Sequence, residues 1–170
     1  MREAIRGHGA LVAVLGLVLG TLAPLLAATP KPIHWTLSVA TKSHLPLRRG
    51  TSAVAHLRAT IRPGWHLYAL DQEPGGPIAT RISLAKGQRW ALRGDVQEPP
   101  PMTALDPNFN IATRFYRGAV SFTIPLRATG AAGRTVAVDV LFQTCSDTLC
   151  LPARVVELKA PVRREASDKR

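Results

Sequence analysis

The sequence contains few cysteines and few acidic residues. Two of its 170 residues are cysteines and 11 are acidic, against 22 lysines and arginines. Two cysteines allow a single disulfide, and a closed zinc site takes four ligands. The histidines beyond the first thirty residues fall in different segments of the chain: His34, His44, His56 and His66. We therefore expect no metal site and no bound cofactor.

Long apolar segments are equally scarce, since only one occurs, from Ala10 to Leu26. It follows Arg2 and Arg6, precedes small residues, and is interrupted by glycine and proline. This layout is typical of a secretory signal peptide, and the segment is shorter than the roughly 20 apolar residues of a membrane-spanning helix. We expect residues 1–28 to be removed on export, with an uncleaved N-terminal anchor as the alternative. The remainder is predicted to be one soluble domain.

The excess of positive charge has two possible meanings. The basic residues are spread along the chain, and the longest blocks are pairs such as Arg48-Arg49 and Arg163-Arg164. A nucleic-acid partner is disfavoured because such proteins usually concentrate their charge and because an exported protein rarely meets nucleic acid. A weak, salt-sensitive attraction to anionic membrane surfaces or to acidic partners fits the composition better.

Apolar and polar residues alternate through most of the chain after the apolar segment, which is typical of β-strands. The alternating segments are Ile33–Val39, Ala53–Ile61, Ile78–Leu84, Val120–Leu126, Val136–Phe142 and Arg154–Ala160. The pattern, with its proline- and glycine-rich turns, predicts an all-β fold, an immunoglobulin-like β-sandwich of about seven to nine strands. We place this domain at residues 29–162. Residues 163–170 are charged and are predicted to be a disordered tail.

One internal segment departs from the alternation. Residues Glu98–Arg117 contain four prolines and lack a clear period of two. We interpret this segment as a long loop, and such loops in compact domains are usually functional or disordered.

The two cysteines, Cys145 and Cys150, follow directly after the most regular predicted strand. In an exported protein such a pair usually forms a disulfide. A bridge that closes about six residues contributes roughly 2 kcal/mol to stability, against about 4.7 kcal/mol for a loop of a hundred. The disulfide would thus contribute little to the stability of the domain. The spacing of the two cysteines fits two hypotheses equally well: redox exchange, or a structural clip at a hairpin.

Three segments resemble the N-terminal periplasmic domain of the thiol:disulfide interchange protein DsbD. Gly64–Tyr68 is similar to the family's Gly-Trp-aromatic-Leu-Tyr segment, and Phe115–Gly118 is similar to the segment before its last strands. Phe142–Pro152 resembles its aromatic-Gln-x-Cys, short loop, Cys-apolar-Pro signature. Together the matches extend over roughly Ile33 to Leu158, in the family's order. The resemblance implies an immunoglobulin-like fold and a cysteine pair that exchanges disulfides.

The resemblance also implies roles for individual residues. Cys150 matches the cysteine that forms mixed disulfides with thioredoxin-fold partners, and Cys145 matches the one that resolves them. Phe109, in a segment that begins at Asp106, occupies the place of the phenylalanine in the loop that caps the pair. Tyr68 matches an aromatic residue that packs beside it. The family's acidic neighbours of the cap are not all present here, and Pro152 is followed by alanine where a second proline is common.

Two further residues near these motifs have plain structural interpretations. His66 stands where the family commonly has an aromatic residue, and we interpret it as a surface or strand histidine. Asp147, between the cysteines, is predicted to form a turn through its own side chain.

The leading hypothesis is an exported, periplasmic interchange module that relays electrons through Cys145 and Cys150, acting as a component of a protein-disulfide reductase. The resemblance implies thioredoxin-fold partners. Because the chain ends at Arg170 without the family's later domains, a membrane-embedded reductant would be a separate chain. One alternative is a non-catalytic immunoglobulin-like binding domain with a structural Cys145–Cys150 clip. Another is a copper-handling protein that uses the thiolates with a histidine or Met102, since soft thiolates suit Cu(I).

Overall fold

In the computed structural model, the described residues are 30–44 and 46–165. The chain from Lys31 onward forms a compact unit of its own. The predicted signal peptide, residues 1–28, lies outside the described residues, as do the last five residues of the predicted tail. No helix among the described residues is long and apolar enough to cross a membrane.

Eleven strands make up the fold of the described residues. They are β1 (Ile33–Thr41), β2 (Ser52–Ile61), β3 (His66–Tyr68), β4 (Arg81–Leu84), β5 (Trp90–Leu92), β6 (Met102–Asp106), β7 (Ile111–Tyr116), β8 (Ala119–Ala128), β9 (Thr135–Phe142), β10 (Thr144–Cys145) and β11 (Arg154–Arg164). Seven of them form one sheet in the order β4-β9-β11-β1-β2-β8-β5, and four form a smaller sheet in the order β10-β3-β7-β6.

The larger sheet folds back on itself around the core. Strand β1 pairs with β2 along most of its length but with β11 only at its last three residues, in parallel. The sheet turns at this corner, and its two halves face each other. The Trp35 ring on β1 contacts both halves, because its centroid lies 6.4 Å from that of Phe122 on β8 and 5.3 Å from that of Phe142 on β9. The halves therefore share one hydrophobic core.

The alternation seen in the sequence explains which side chains fill this core. In β2 and β9 every second residue is buried, because successive side chains on a strand point to opposite faces. The smaller sheet adds to the same core through Leu67 and Tyr116, and the Tyr116 ring lies 6.0 Å from that of Phe122. The predicted all-β immunoglobulin-like sandwich is confirmed.

A tight turn between β2 and β3 directs the chain from the larger sheet into the smaller one. Gly64 has a φ of 80°, which glycine adopts without steric cost, and Pro63 before it supplies the fixed φ that such a turn favours. The Trp65 amide closes the turn by donating to the Arg62 carbonyl over 3.1 Å. As a result β3 begins at His66.

The structure corrects three details of the sequence-based picture. The described residues contain eleven strands, where about seven to nine were expected. The alternation did not reveal β3, β5 and β10, because these strands are too short to show a period of two. The segment Glu98–Arg117 is a hairpin of β6 and β7, in which β6 is an edge strand with four of its five residues exposed, so burial imposes no alternation on it. The boundary at residue 162 falls inside β11, which continues through Arg164 because it pairs with Thr41 of β1.

Truncation of Phe122 should test the shared core. This side chain is fully buried and contacts rings from both sheets. We expect Phe122→Ala to lower the free energy of unfolding by about 3–5 kcal/mol. Leu105→Ala, at a side chain that is 67% exposed, should cost less than about 0.5 kcal/mol. Urea unfolding measures both, and equal losses would contradict the assignment of the core.

Candidate functional site

The first cysteine lies where the chain crosses from one sheet to the other. Strand β9 ends at Phe142 in the larger sheet, and two residues later β10 joins the edge of the smaller sheet, with Cys145 opposite His66 of β3. The Thr144 hydroxyl donates to the His66 carbonyl over 2.6 Å and reinforces this pairing. Cys145 is completely buried as a result.

The second cysteine returns to the first through a short turn. The Ser146 amide donates to the Leu149 carbonyl over 2.8 Å, and the Ser146 hydroxyl accepts from the amides of Thr148 and Leu149. The predicted turn is therefore present, but the side chain that caps it is Ser146. Asp147 instead accepts from Arg117 over 3.3 Å, so its predicted role as the turn-former is wrong.

Cys145 and Cys150 are joined by a disulfide, with sulfur atoms 2.01 Å apart. The two differ in exposure, since Cys145 is completely buried and Cys150 is partly exposed. Tyr68 and Phe115 form a buried apolar cluster with Cys145, and Phe109 and Cys150 pack against it. The bridge thus rests on the Tyr68 and Phe115 rings, and Cys150 is its more exposed residue.

Phe109 lies in the turn between β6 and β7, which we call the cap turn (residues 106–110). The Asn110 amide donates to the Asp106 carbonyl over 2.7 Å, and Asn110 has a φ of 55°, which asparagine tolerates better than most residues. The Phe109 ring lies edge-on to Tyr68 at 6.2 Å. The Asn108 side-chain amide donates to the Ser146 carbonyl over 2.8 Å. This hydrogen bond joins the cap turn to the turn between the two cysteines, which we call the cysteine turn (residues 146–149).

A buried polar network lies beside the disulfide. The Tyr68 hydroxyl donates to the Asp106 carboxylate over 2.7 Å. It also lies 3.0 Å from the Nε2 atom of His66. Because the Tyr68 hydroxyl donates its proton to the carboxylate, its oxygen can only accept a hydrogen bond from His66. His66 therefore carries its proton on Nε2. The Nδ1 atom of His66 is buried and has no hydrogen-bond partner among the described residues.

Asp106 stays ionised in this buried setting because donors surround it. Burial raises its pKa, but the hydrogen bonds from Tyr68 and from the amide and side chain of Asn108 outweigh it, and the net pKa lies below the ordinary value. The Asn108 amide donates over 2.9 Å. Burial, with the Asp106 carboxylate nearby, raises the pKa of Tyr68 far above its usual range, so Tyr68 remains a donor at every physiological pH.

His66 is neutral in this environment. Burial lowers its pKa below the ordinary value near 6.5, the Asp106 carboxylate opposes that change, and the Arg117 guanidinium adds to it. The ring packs against Tyr68 and Phe115 at centroid distances of 5.0 and 5.1 Å. It is 3% exposed, so the expectation of a surface histidine is wrong, although its place on a strand is correct.

The structure brings together all five residues singled out from the sequence: Cys145, Cys150, Phe109, Asp106 and Tyr68. It adds His66, Asn108 and Phe115, which sequence reasoning did not assign to the site. The sequence could have predicted His66, because it lies two residues before Tyr68 in the same strand, and alternate side chains of a strand point to the same face. The links through Asn108 could not be predicted in this way, since they depend on the turn geometry. No group of three or more histidine, cysteine or acidic side chains within the described residues is arranged to hold a metal ion.

The pKa of His66 predicts an acid sensitivity of folding. The unfolded chain takes up a proton near pH 6.5 and the folded chain only at lower pH, so the free energy of unfolding should fall as the pH drops below about 6.5. His66→Phe should remove this part of the pH dependence. Asp106, whose pKa is lowered, contributes its stability above about pH 4 and does not change in this range.

Urea unfolding between about pH 7.5 and about pH 5.5 checks this expectation. His56→Gln, which alters an exposed histidine of β2, is the matched control and should keep the parent's pH dependence. An unchanged slope in His66→Phe would contradict the assignment of His66 as the acid-sensitive group.

Comparison with known proteins places this arrangement in a family. The family model described as the N-terminal domain of thiol:disulfide interchange protein DsbD matches residues 37–160. No curated protein sequence matches the chain. The N-terminal periplasmic domain of ScsB from Proteus mirabilis has a similar structure, with a TM-score of 0.58 and 19% identity, over 79% of this chain and 48% of that one. The chain thus spans about half of that structure, and the likeness shows a shared fold.

Two structures from Neisseria meningitidis are also similar. The reduced N-terminal domain of DsbD matches with a TM-score of 0.46 and 14% identity, over 68% of this chain and 79% of that one. The complex of the DsbD and PilB N-terminal domains matches with a TM-score of 0.41 and 15% identity, over 62% and 73%. The family match extends over most of the chain and includes Cys145, whose disulfide to Cys150 the structure contains. The chain belongs to the family of DsbD N-terminal domains.

Proposed function

We propose that the chain is an exported, periplasmic thiol:disulfide interchange module. Its Cys145–Cys150 dithiol reduces disulfides of thioredoxin-fold partners, and a membrane-embedded reductant on a separate chain restores the dithiol. Family membership supports the class of chemistry. The proposal gains its strongest support from a single observation, which is the unequal exposure of the two cysteine residues.

Exposure determines which sulfur an external thiol can reach. Thiol–disulfide exchange requires a thiolate to approach one sulfur of the bridge along an open path. Cys145 is completely buried, and Cys150 is partly exposed. An incoming thiolate can therefore attack only Cys150, and Cys145 is the leaving group.

The exchange can be written so that electrons balance. In the forward step the Cys150 thiolate attacks a partner disulfide, forms a mixed disulfide and releases one partner thiolate. The Cys145 thiolate then attacks Cys150, the Cys145–Cys150 bond forms, and the second partner thiolate leaves. Two electrons pass to the partner. Regeneration reverses these steps, with a donor dithiol attacking Cys150 and becoming a disulfide itself. No bound cofactor is needed.

Phe109 acts as a shield in this scheme. It packs, like Cys150, against the cluster of Tyr68, Phe115 and Cys145, and its ring lies edge-on to Tyr68. A large apolar ring in this position limits the approach of small thiols to the exposed sulfur, while a partner that displaces the cap turn gains access. The shield favours exchange with a docked protein over exchange with thiols in solution.

The reduction potential of the Cys145–Cys150 pair tests the proposal. Exchange-active pairs have potentials between about −270 and −120 mV, whereas structural disulfides of secreted proteins fall below about −300 mV. We expect a value in the first range for residues 29–170, measured by equilibration with dithiothreitol or glutathione. A value below about −300 mV would identify a structural clip and a binding domain in place of a relay.

The two cysteine variants should differ although each removes the same bridge. Cys145→Ser should accumulate a mixed disulfide with a thioredoxin that keeps one active-site cysteine, activated as a disulfide with an aromatic thiol. Cys150 attacks, the aromatic thiolate leaves, and neither protein has a second thiol to resolve the product. Cys150→Ser should form none, because the remaining thiol is buried. Both variants lose the same disulfide stabilisation, roughly 2 kcal/mol, so each controls for the other. Equal trapping by the two variants, read on non-reducing gels, would rule out the assigned order of attack.

Removal of the shield should accelerate reduction by small thiols. We expect Phe109→Ala to raise the rate of disulfide reduction by dithiothreitol several-fold, because the path to Cys150 widens. Leu105→Ala, on the neighbouring edge strand and 67% exposed, should leave the rate unchanged. The rate is followed by alkylation of the released thiols. No acceleration in Phe109→Ala would show that the ring only anchors the turn.

A further inference from the structure

The positive charge that is scattered in the sequence becomes concentrated in the fold. Strands β1, β8 and β11 end, and β2 and β9 begin, at the same end of the larger sheet, since Thr41 pairs with Arg164 and Ser52 with Arg127. The exposed arginines at this end include Arg49, Arg93, Arg127, Arg134, Arg163 and Arg164, and we call the surface that carries these six the basic end.

Neighbouring depressions in the surface join these arginines. Arg134, Arg163 and Arg164 line one together with Thr41 and Ser43. Arg49 and Arg127 line a second, where the Gly50 amide donates to the Ala128 carbonyl over 2.8 Å. Arg93 lines a third with Lys42 and Glu165. The first and third depressions share Thr41 and Ser43, and Ser52 of the third pairs with Arg127 of the second. The three depressions therefore adjoin one another, and Glu165 provides a negative charge among the arginines.

The charges of the basic end are not neutralised internally. All six arginines are exposed, and within the part of the chain that the structure describes none forms an ion pair. The opposite end of the sandwich carries the disulfide, and we call it the disulfide end. There Arg114 and Arg117 form ion pairs with Asp71 and Asp147. Unpaired guanidinium groups retain their full capacity to donate paired hydrogen bonds to phosphate oxygens.

The basic end is remote from the disulfide. Strand β9 begins at Thr135, next to Arg134, and ends at Phe142, three residues before Cys145. Its eight residues span roughly 26 Å, since each residue of a strand adds about 3.3 Å. The surface therefore has no part in the exchange site.

We infer that the basic end is a docking surface for the anionic face of a phospholipid membrane. Its arginines lie on five chain segments at one end of the larger sheet, and an array of phosphate headgroups offers a separate anionic group to each of several arginines. Clusters of lysine and arginine near a bilayer are drawn to anionic lipids in this way.

An acidic protein fits this surface less well. Protein interfaces usually centre on aromatic or large apolar anchors that become buried. The exposed large apolar residues near this end are Val54 and Leu92, which flank Arg93 at its margin. Docking at the membrane would hold the disulfide end roughly 26 Å or more above the lipid, facing away from it.

Sedimentation with lipid vesicles tests the inference, using residues 29–170, which contain the whole described fold. Vesicles of about one third phosphatidylglycerol in phosphatidylcholine should bind the protein at about 0.1 M salt, pure phosphatidylcholine should not, and high salt should release it. Arg134→Gln/Arg163→Gln/Arg164→Gln should weaken binding by at least about tenfold.

The matched control is Arg58→Gln/Arg62→Gln/Arg81→Gln, which removes the same charge from exposed, unpaired positions away from the basic end. It should weaken binding by less than about threefold, because charges beyond about 10 Å are screened. Equal losses in the two triple variants would overturn the inference in favour of a general effect of net charge. So would absence of binding to anionic vesicles, or binding to polyglutamate in its place.

The vesicle-binding experiment tests the membrane surface independently of the proposed exchange reaction. The basic-end variant should keep the parent's reduction potential and thermal midpoint, so loss of vesicle binding with an unchanged potential supports the membrane surface alone. A potential below about −300 mV with intact vesicle binding would refute the relay and leave this inference standing.

Discussion

The hydrogen bond from Tyr68 to Asp106 holds the disulfide end of the molecule together. It joins β3, whose partner strand carries Cys145, to the start of the cap turn, which carries Phe109. Asp106 is a buried carboxylate, and a buried charge without donors would cost several kcal/mol. Tyr68 and Asn108 supply those donors, so the charge is tolerated only while the two strands and the turn remain in register. The disulfide, the rings on which it rests and the cap turn therefore form one structural unit.

The two ends of the sandwich use charge in opposite ways. Beside the disulfide Asp106 is buried among hydrogen-bond donors, and Arg114 and Arg117 are paired with Asp71 and Asp147. At the basic end the arginines are unpaired and exposed. Paired charges hold the disulfide site in one geometry, as the proposed exchange requires. Unpaired charges remain available to bind an anionic membrane, as inferred for the basic end. The long strands of the larger sheet separate these roles within one small domain.

The sequence was sufficient to predict those features that depend on burial. Alternation predicted β2, β8 and β9 nearly to the residue, because every second side chain there enters the core. The hairpin of β6 and β7 was missed because an exposed edge strand has no such constraint. Resemblance identified Phe109 and the cysteines, but the burial of His66 required the pairing of β3 with both β10 and β7. The basic end could not be predicted, since its arginines are far apart in the sequence and meet only through the order of the strands.

The attachments of the cap turn determine how the disulfide can be uncovered. Between the cap turn and the cysteine turn the structure has one hydrogen bond, from Asn108 to Ser146, and a neutral bond of this kind contributes about 0.5–1.5 kcal/mol. On its other side Asp106 accepts a short hydrogen bond from the Tyr68 hydroxyl, at 2.7 Å, and a longer one from the Thr113 hydroxyl, at 3.4 Å. If Asn108 moved together with Phe109, the Asp106 carboxylate would lose the two hydrogen bonds that it accepts from Asn108. Opening therefore costs least when Phe109 moves while Asp106 and Asn108 stay in place. In the proposed exchange, a partner would therefore have to displace only Phe109 to reach Cys150.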